Sequence, residues 1–352
     1  MGSVNTKTTW HALPTIGQLA AGAMVVALVA LGIVVGGGFT NGSRQRAGAS
    51  PRVTGCSVKP VAGPKGLELE MVRTPAGSVP TVPVCIDGQG PFRFVVSTGA
   101  GGSTVTPSLA RSLHLKKGPD VPVRGVTCVP SAPQAKVRTW SMAGVRLDPQ
   151  RVLVSSFSGA GSTVKGVIGS DVLARFGAVR VDYEHGRLVL LGGEGAAPTG
   201  NVYVLGQKSS RPPQALVKGA VEANTLLRVF KTPQGTIVAV PVVIAGHAEQ
   251  LAVDTGFPSS ALDPAAARAL KLKADGATLP SSGIGCTGAA PTYSPGRWTL
   301  GGTSLPGSVI AVRSIAGSIN SGLQGVLGSG ELRADGSVIV DFSGAHLWLT
   351  KG

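Results

Sequence analysis

From residue 67 onward the hydrophobic positions come in short runs that stop at Gly, Pro, Asp or Ser. Val82-Pro83-Val84-Cys85-Ile86 ends in Asp87-Gly88, and Phe94-Val95-Val96 ends in Ser97-Thr98-Gly99. Runs this short, rich in β-branched residues and closed by turn formers, predict strands joined by tight turns. Two short helices are expected between them. Thr106-Pro107 and Asp263-Pro264 each set a capping side chain before a proline at the first helical position, where the missing N–H has no partner to lose. Residues 19–39 break the pattern: the run is uncharged throughout and has no polar face. At 1.5 Å per residue it matches a bilayer core of ~30 Å, and it is longer than the apolar part of a signal peptide. The expectation is an uncleaved transmembrane helix behind a tail of residues 1–18. Residues 40–66 contain no acidic side chain and are rich in Gly, Ser, Pro and Arg, as in a linker.

The runs then recur. Val82-Pro83-Val84-Cys85-Ile86-Asp87-Gly88 corresponds to Val240-Pro241-Val242-Val243-Ile244-Ala245-Gly246, and Phe94-Val95-Val96-Ser97-Thr98-Gly99 to Leu251-Ala252-Val253-Asp254-Thr255-Gly256, an offset of 157. Leu109, Leu113 and Leu115 parallel Ala266, Leu270 and Leu272. Gly166-Val167-Ile168-Gly169-Ser170 returns as Gly325-Val326-Leu327-Gly328-Ser329. Val181-Asp182-Tyr183 and Leu188-Val189-Leu190 return as Val340-Asp341-Phe342 and Leu347-Trp348-Leu349. Matches in this order imply two copies of one β-rich lobe, residues 67–193 and 215–352, joined by a Gly/Pro/Ser-rich linker at 194–214.

Composition narrows the class. The 52 glycines show no period of three, which excludes collagen, and charged residues at only 14% argue against disorder. The net charge of +15 fits either a solvated basic surface or contact with an anionic surface, and charge alone does not choose between them. The basic residues are dispersed and lack interleaved aromatics, so nucleic-acid binding is not expected. Lys7 precedes the apolar run while Arg44, Arg46, Arg52 and Lys59 follow it, a bias that taken alone holds the main domain in the cytoplasm. Long domains translocate regardless of such charges, and four cysteines suit an oxidising compartment. A single-pass membrane protein with an extracytoplasmic domain is therefore expected.

The sequence of apolar strand, Asp-Thr-Gly, short helix and a later apolar-apolar-Gly strand resembles the retropepsin- and pepsin-like aspartic proteases. Val253-Asp254-Thr255-Gly256 with Gly325-Val326-Leu327-Gly328 carries the resemblance, which covers nearly all of the chain after the linker. It implies a mainly β fold of two homologous lobes facing across a pseudo-two-fold axis, with Asp254 as the catalytic acid and Thr255 and Gly256 supporting it. Two such loops are needed because two carboxylates a few Å apart share one proton. The ionised member activates water while its protonated partner polarises the scissile carbonyl. In the family the loop threonines lock the lobes together and the glycines permit close backbone approach. The first loop of this chain departs from the pattern: Ser97-Thr98-Gly99 puts a serine where the first aspartate belongs. Phe257-Pro258 follows the second loop, and a bulky ring there is expected to alter access to Asp254.

Asp171 is expected to cap the short helix after the first apolar-Gly strand, with Gly330 in the equivalent place of the second copy. Asp182 and Asp341 are expected in turn hydrogen bonds. His11, His114, His185, His247 and His346 show no ligand spacing, and neither a Gly-x-Ser-x-Gly elbow nor a phosphate loop occurs. No cofactor or metal is expected. Cys128 and Cys286 occupy matching positions, so a bridge between the lobes near the axis is attractive, and Cys56–Cys85 would tie the linker to the first lobe; connectivity stays open at this level. The resemblance implies an aspartic-type endopeptidase acting through Asp254 on an extended peptide. The residues themselves leave room for an inactive protease-like protein that binds a peptide or a cell-surface ligand in the same cleft. Pairing two chains through their second lobes, to reunite two copies of Asp254, would displace each first lobe from its own interface.

Overall fold

The computed structural model describes Cys56 and residues 66–123, 131–157, 163–190, 220–283, 286–307, 309–315 and 322–351. The expected transmembrane helix at 19–39 and the linker at 194–214 lie outside the described residues. What is described is mainly β. It forms two curled ten-stranded sheets and a six-stranded sheet between them.

The two large sheets run through their strands in the same order. In the first, Gln89–Val96 lies between Gly77–Ile86 and Val164–Ile168, and Thr104–Val105 follows on the far side. In the second, His247–Asp254 lies between Thr236–Ile244 and Gly325–Gly328, followed by Ala261–Leu262. The six-stranded sheet is built outward from a central antiparallel pair, Ala178–Asp182 against Ser337–Asp341, one strand from each half of the chain. Arg187–Leu190 and His346–Thr350 flank that pair.

Local sequence explains the turns. Asp87-Gly88, Ala143-Gly144 and Ala245-Gly246 all have positive φ at both residues, the geometry whose twist matches a two-residue hairpin. The helices Pro107–Ser112 and Pro264–Ala269 begin as expected. Thr106 accepts from Leu109 N–H at 3.2 Å and Asp263 from Ala265 N–H at 2.9 Å.

Packing follows the alternation of each strand. Val82, Val84, Ile86, Phe94 and Val96 point into one continuous core that also takes Val240, Val242, Val253 and Leu327 from the second half. Gly166 is required by this packing: a Cβ there would lie 2.0 Å from the Phe94 ring. A disulfide joins Cys56 to Cys85 on the strand Gly77–Ile86 and fixes the end of the linker to the first lobe. Cys128 and the side chain of Cys286 lie outside the described residues.

Candidate active site

Ser97 and Asp254 each stand at the end of a strand that is paired in parallel with an apolar-Gly strand. Ser97 N–H donates to Ile168 O at 3.0 Å, and Asp254 lies opposite Gly328. Parallel pairing on one side and the neighbouring hairpin on the other leave these two positions little latitude. Both are buried, 4% and 7% exposed.

Behind them the two loops interlock. Thr98 Oγ1 donates to Val253 O at 2.8 Å and Thr255 Oγ1 to Val96 O at 2.8 Å. Each threonine oxygen also accepts the other's backbone N–H, both at 3.2 Å. All four bonds cross between the halves of the chain, and both threonines are fully buried. Each bond contributes roughly 0.5–1.5 kcal/mol net, and orphaning a buried partner costs more. The glycines make the approach feasible. A Cβ on Gly99 would stand 2.5 Å from Asp254 Cβ, and one on Gly256 would stand 2.6 Å from Ser97 Cβ.

Within this frame Ser97 Oγ donates to Asp254 Oδ1 at 2.7 Å. The same hydroxyl accepts Ala100 N–H at 3.0 Å, so its one proton is committed to Asp254. Asp254 Oδ1 also accepts Gly256 N–H at 2.8 Å. Burial pushes the Asp254 carboxyl above the usual range, and the donors Ser97, Gly256, Gly99 and Phe257 pull it part of the way back. Tyr183 is held strongly above the usual phenol range, by burial first and by the charge of Asp254 second, and its buried hydroxyl has no hydrogen-bond partner among the described residues.

Beneath each loop lies a second layer that the sequence reading did not assign. Ser103 and Ser260 stand six residues after Ser97 and Asp254. Their hydroxyls accept Gly169 N–H at 3.0 Å and Gly328 N–H at 2.9 Å, and each donates to a buried carboxyl group. For Ser103 the acceptor is Asp171, at 2.7 Å, and for Ser260 it is Glu331. This corrects the role expected for Asp171. Besides Val172 N–H in its own helix, it holds Ser103 N–H at 2.9 Å and Gln150 Nε2 at 2.8 Å. Its counterpart is Glu331, not the position of Gly330: the longer side chain reaches Ser260, the counterpart of Ser103, from one residue further along. Burial raises both carboxyls above their usual range.

Ser170 and Ser329 also cross between the halves. Ser170 Oγ accepts Thr236 N–H at 3.1 Å, and Ser329 Oγ donates to Ser78 O at 2.9 Å. Phe257 does not line the centre as its size suggested. Its ring is buried in a cluster with Ile237, Ala252, Ala261 and Val326. Asp341 accepts Ser343 and Gly344 N–H, and Asp182 accepts His185 N–H, the turn roles expected of them. Asp182 additionally pairs with the buried Arg180 at 3.1 Å.

The arrangement supplies one carboxyl group and one hydroxyl donor in a buried, precisely crossed pair of loops. Among the described residues it holds no second acid with which to share a proton. Comparison with known proteins agrees with this architecture in the first lobe, where a family model described as aspartyl protease matches residues 82–172. No curated protein matches the chain. Among solved structures the chain is similar to the aspartic proteinase from Irpex lacteus, at 14% identity and a TM-score of 0.45, over 81% of this chain and 96% of that one.

Proposed function

We propose that this chain is a membrane-anchored member of the retropepsin- and pepsin-like aspartic protease family, a reading supported in the first lobe by the aspartyl protease model, and that its interlobe cleft holds an extended peptide without hydrolysing it. The observation that carries this reading is the 2.7 Å bond from Ser97 to Asp254. Where a second carboxylate would share a proton and let its partner activate water, Ser97 offers only a donor. A hydroxyl has no accessible negative charge near neutral pH and cannot take the proton of an attacking water. A positioned acid–base group is worth about 10²–10⁴ in rate, so its replacement removes the chemistry and leaves the frame. The threonine crossing and the buried serine–carboxyl pairs support a cleft that keeps its shape. Two lobes derived from one duplicated unit, the anchor at residues 19–39 with an extracytoplasmic domain, and a Cys128–Cys286 bridge belong to the same proposal. Mass spectrometry of unreduced peptides reads that bridge directly.

A second reading has one observation in its favour. Burial raises the Asp254 carboxyl and so favours its protonated form, and a protonated Asp254 would have a proton to supply to a leaving amine in a slow single-acid peptidase. Incubation of the full chain with a random peptide mixture from pH 4 to 7, followed by mass spectrometry, separates the two. Enriched but uncut peptides are expected. Cleavage products that vanish in Asp254→Asn would establish the slow peptidase in place of the binder.

A further inference from the structure

On the outer face of the first lobe, Lys136 and Arg151 stand directly opposite each other across an antiparallel pair, and both are exposed. Opposed residues lie about 5 Å apart, where like charges are destabilising. Arg138 is exposed two residues along the same strand direction, and Arg146 is exposed on the next hairpin, opposite Ser141. None of the four forms an ion pair among the described residues. Two acids are near. Asp87 accepts Thr139 N–H and Oγ1 at 3.0 Å, and Asp148 is exposed two residues after Arg146.

The second ten-stranded sheet serves as an internal comparison. At the places set by the same strand pairing it carries Ser294, Gly296, Ser304 and Val309. The architecture therefore does without these charges, and their clustering is a property of the first lobe alone. The cluster also adjoins the point where the chain enters that lobe. Cys56 is bonded to Cys85, Cys85 lies opposite Ser141, and Ser141 lies opposite Arg146. At about 4.8 Å per strand spacing, Arg146 is roughly 10 Å from Cys85. Cys56 follows the last residue of the apolar run, Phe39, by only 17 residues, a reach of at most about 60 Å.

We infer that the face bearing Lys136, Arg138, Arg146 and Arg151 docks on the anionic headgroups of the bilayer that holds the chain. The inference rests on the anchor proposed above for residues 19–39. A basic side chain at an anionic lipid surface is worth about a fivefold preference, and the short tether keeps the four within reach of that surface. Docking by this face fixes which way the first lobe meets the membrane.

The test uses the full chain with phosphatidylcholine vesicles, and with vesicles of phosphatidylcholine and phosphatidylglycerol at 70:30. Flotation reads the anchor, and lysine acylation followed by peptide mass spectrometry reads the face, with exposed Lys273 of the other sheet as reference. The chain is expected to float with both vesicles. Acylation of Lys136 should fall several-fold only with the anionic ones, and recover in 1 M NaCl, where the screening length is about 3 Å. It should recover equally in Arg138→Glu/Arg151→Glu. Equal acylation of Lys136 on both vesicles, or equal protection of Lys273, overturns the docking face. Flotation with anionic vesicles alone, abolished by the double variant, would overturn the anchor while upholding the face. Protection of Lys136 by polyglutamate but not by the anionic vesicles would overturn the lipid as partner.

Discussion

Ser97 Oγ lies 2.7 Å from Asp254 Oδ1 and receives Ala100 N–H from behind, so the ionisation of Asp254 is set by a neighbour that donates to it and carries no charge. Burial dominates and favours the neutral carboxyl, while the Ser97 bond is the largest influence in the opposite direction. Removing it in Ser97→Ala leaves burial less opposed. The Asp254 carboxyl carbon, followed by ¹³C NMR, should titrate at a higher pH in that variant than in the wild type. An unchanged or lower midpoint would mean that the hydroxyl does not couple to the acid. Phe257 has a quieter part at this scale, since its ring belongs to the second-lobe core.

At the scale of elements, the loops are held by reciprocal contacts between strand ends. Thr255→Val keeps the shape of the side chain but leaves Val96 O and Thr98 N–H without their partner. Two buried groups orphaned at roughly 1–3 kcal/mol each predict a loss of about 2–6 kcal/mol in urea unfolding. A loss below about 0.5 kcal/mol would show that the crossing is not a lock. Much of this level was legible beforehand. The capped helices and the Asp-Gly and Ala-Gly turns follow from local residue pattern, whereas the crossing of the two threonine loops was implied only by the family resemblance. Glu331 was not legible, because a one-residue displacement with a longer side chain hides its equivalence to Asp171 until the equivalent serines they bond, Ser260 and Ser103, are seen. Recurrence of Ser103 and Ser260, six residues after each loop, was the signal available. The crossings made by Ser170 and Ser329 had no local signature, since their partners Thr236 and Ser78 lie in the other half of the chain. Burial of the Phe257 ring depended on the curl of the second sheet, which residue spacing does not encode.

Burial raises five carboxyls of the described residues above their usual range, Asp171, Glu249, Asp254, Glu331 and Asp335. An unfolded chain releases these protons near pH 4, whereas the folded chain keeps them to higher pH. The folded state then binds more protons, so these groups lower stability as pH rises from about 4 through their raised values, and their cost is absent below that window. Glu331→Gln preserves an acceptor for Ser260 and removes one such proton. Stability should therefore decline less steeply between pH 4.5 and 7 in the variant than in the wild type, as read from melting temperature. A slope unchanged by the substitution would mean that Glu331 is ionised in the folded protein.

The central proposal is that the crossed loops form an aspartic-protease-like frame that lacks one acid, and Ser97→Asp restores that acid in place. The direct measurement is peptide cleavage by Ser97→Asp across pH 3 to 7, beside the wild type and Ser97→Asp/Asp254→Asn. The account predicts cleavage at acidic pH by the single variant only, since two facing carboxyls would share a proton. A folded Ser97→Asp that cuts nothing, or a wild type that already cuts as fast, would contradict it.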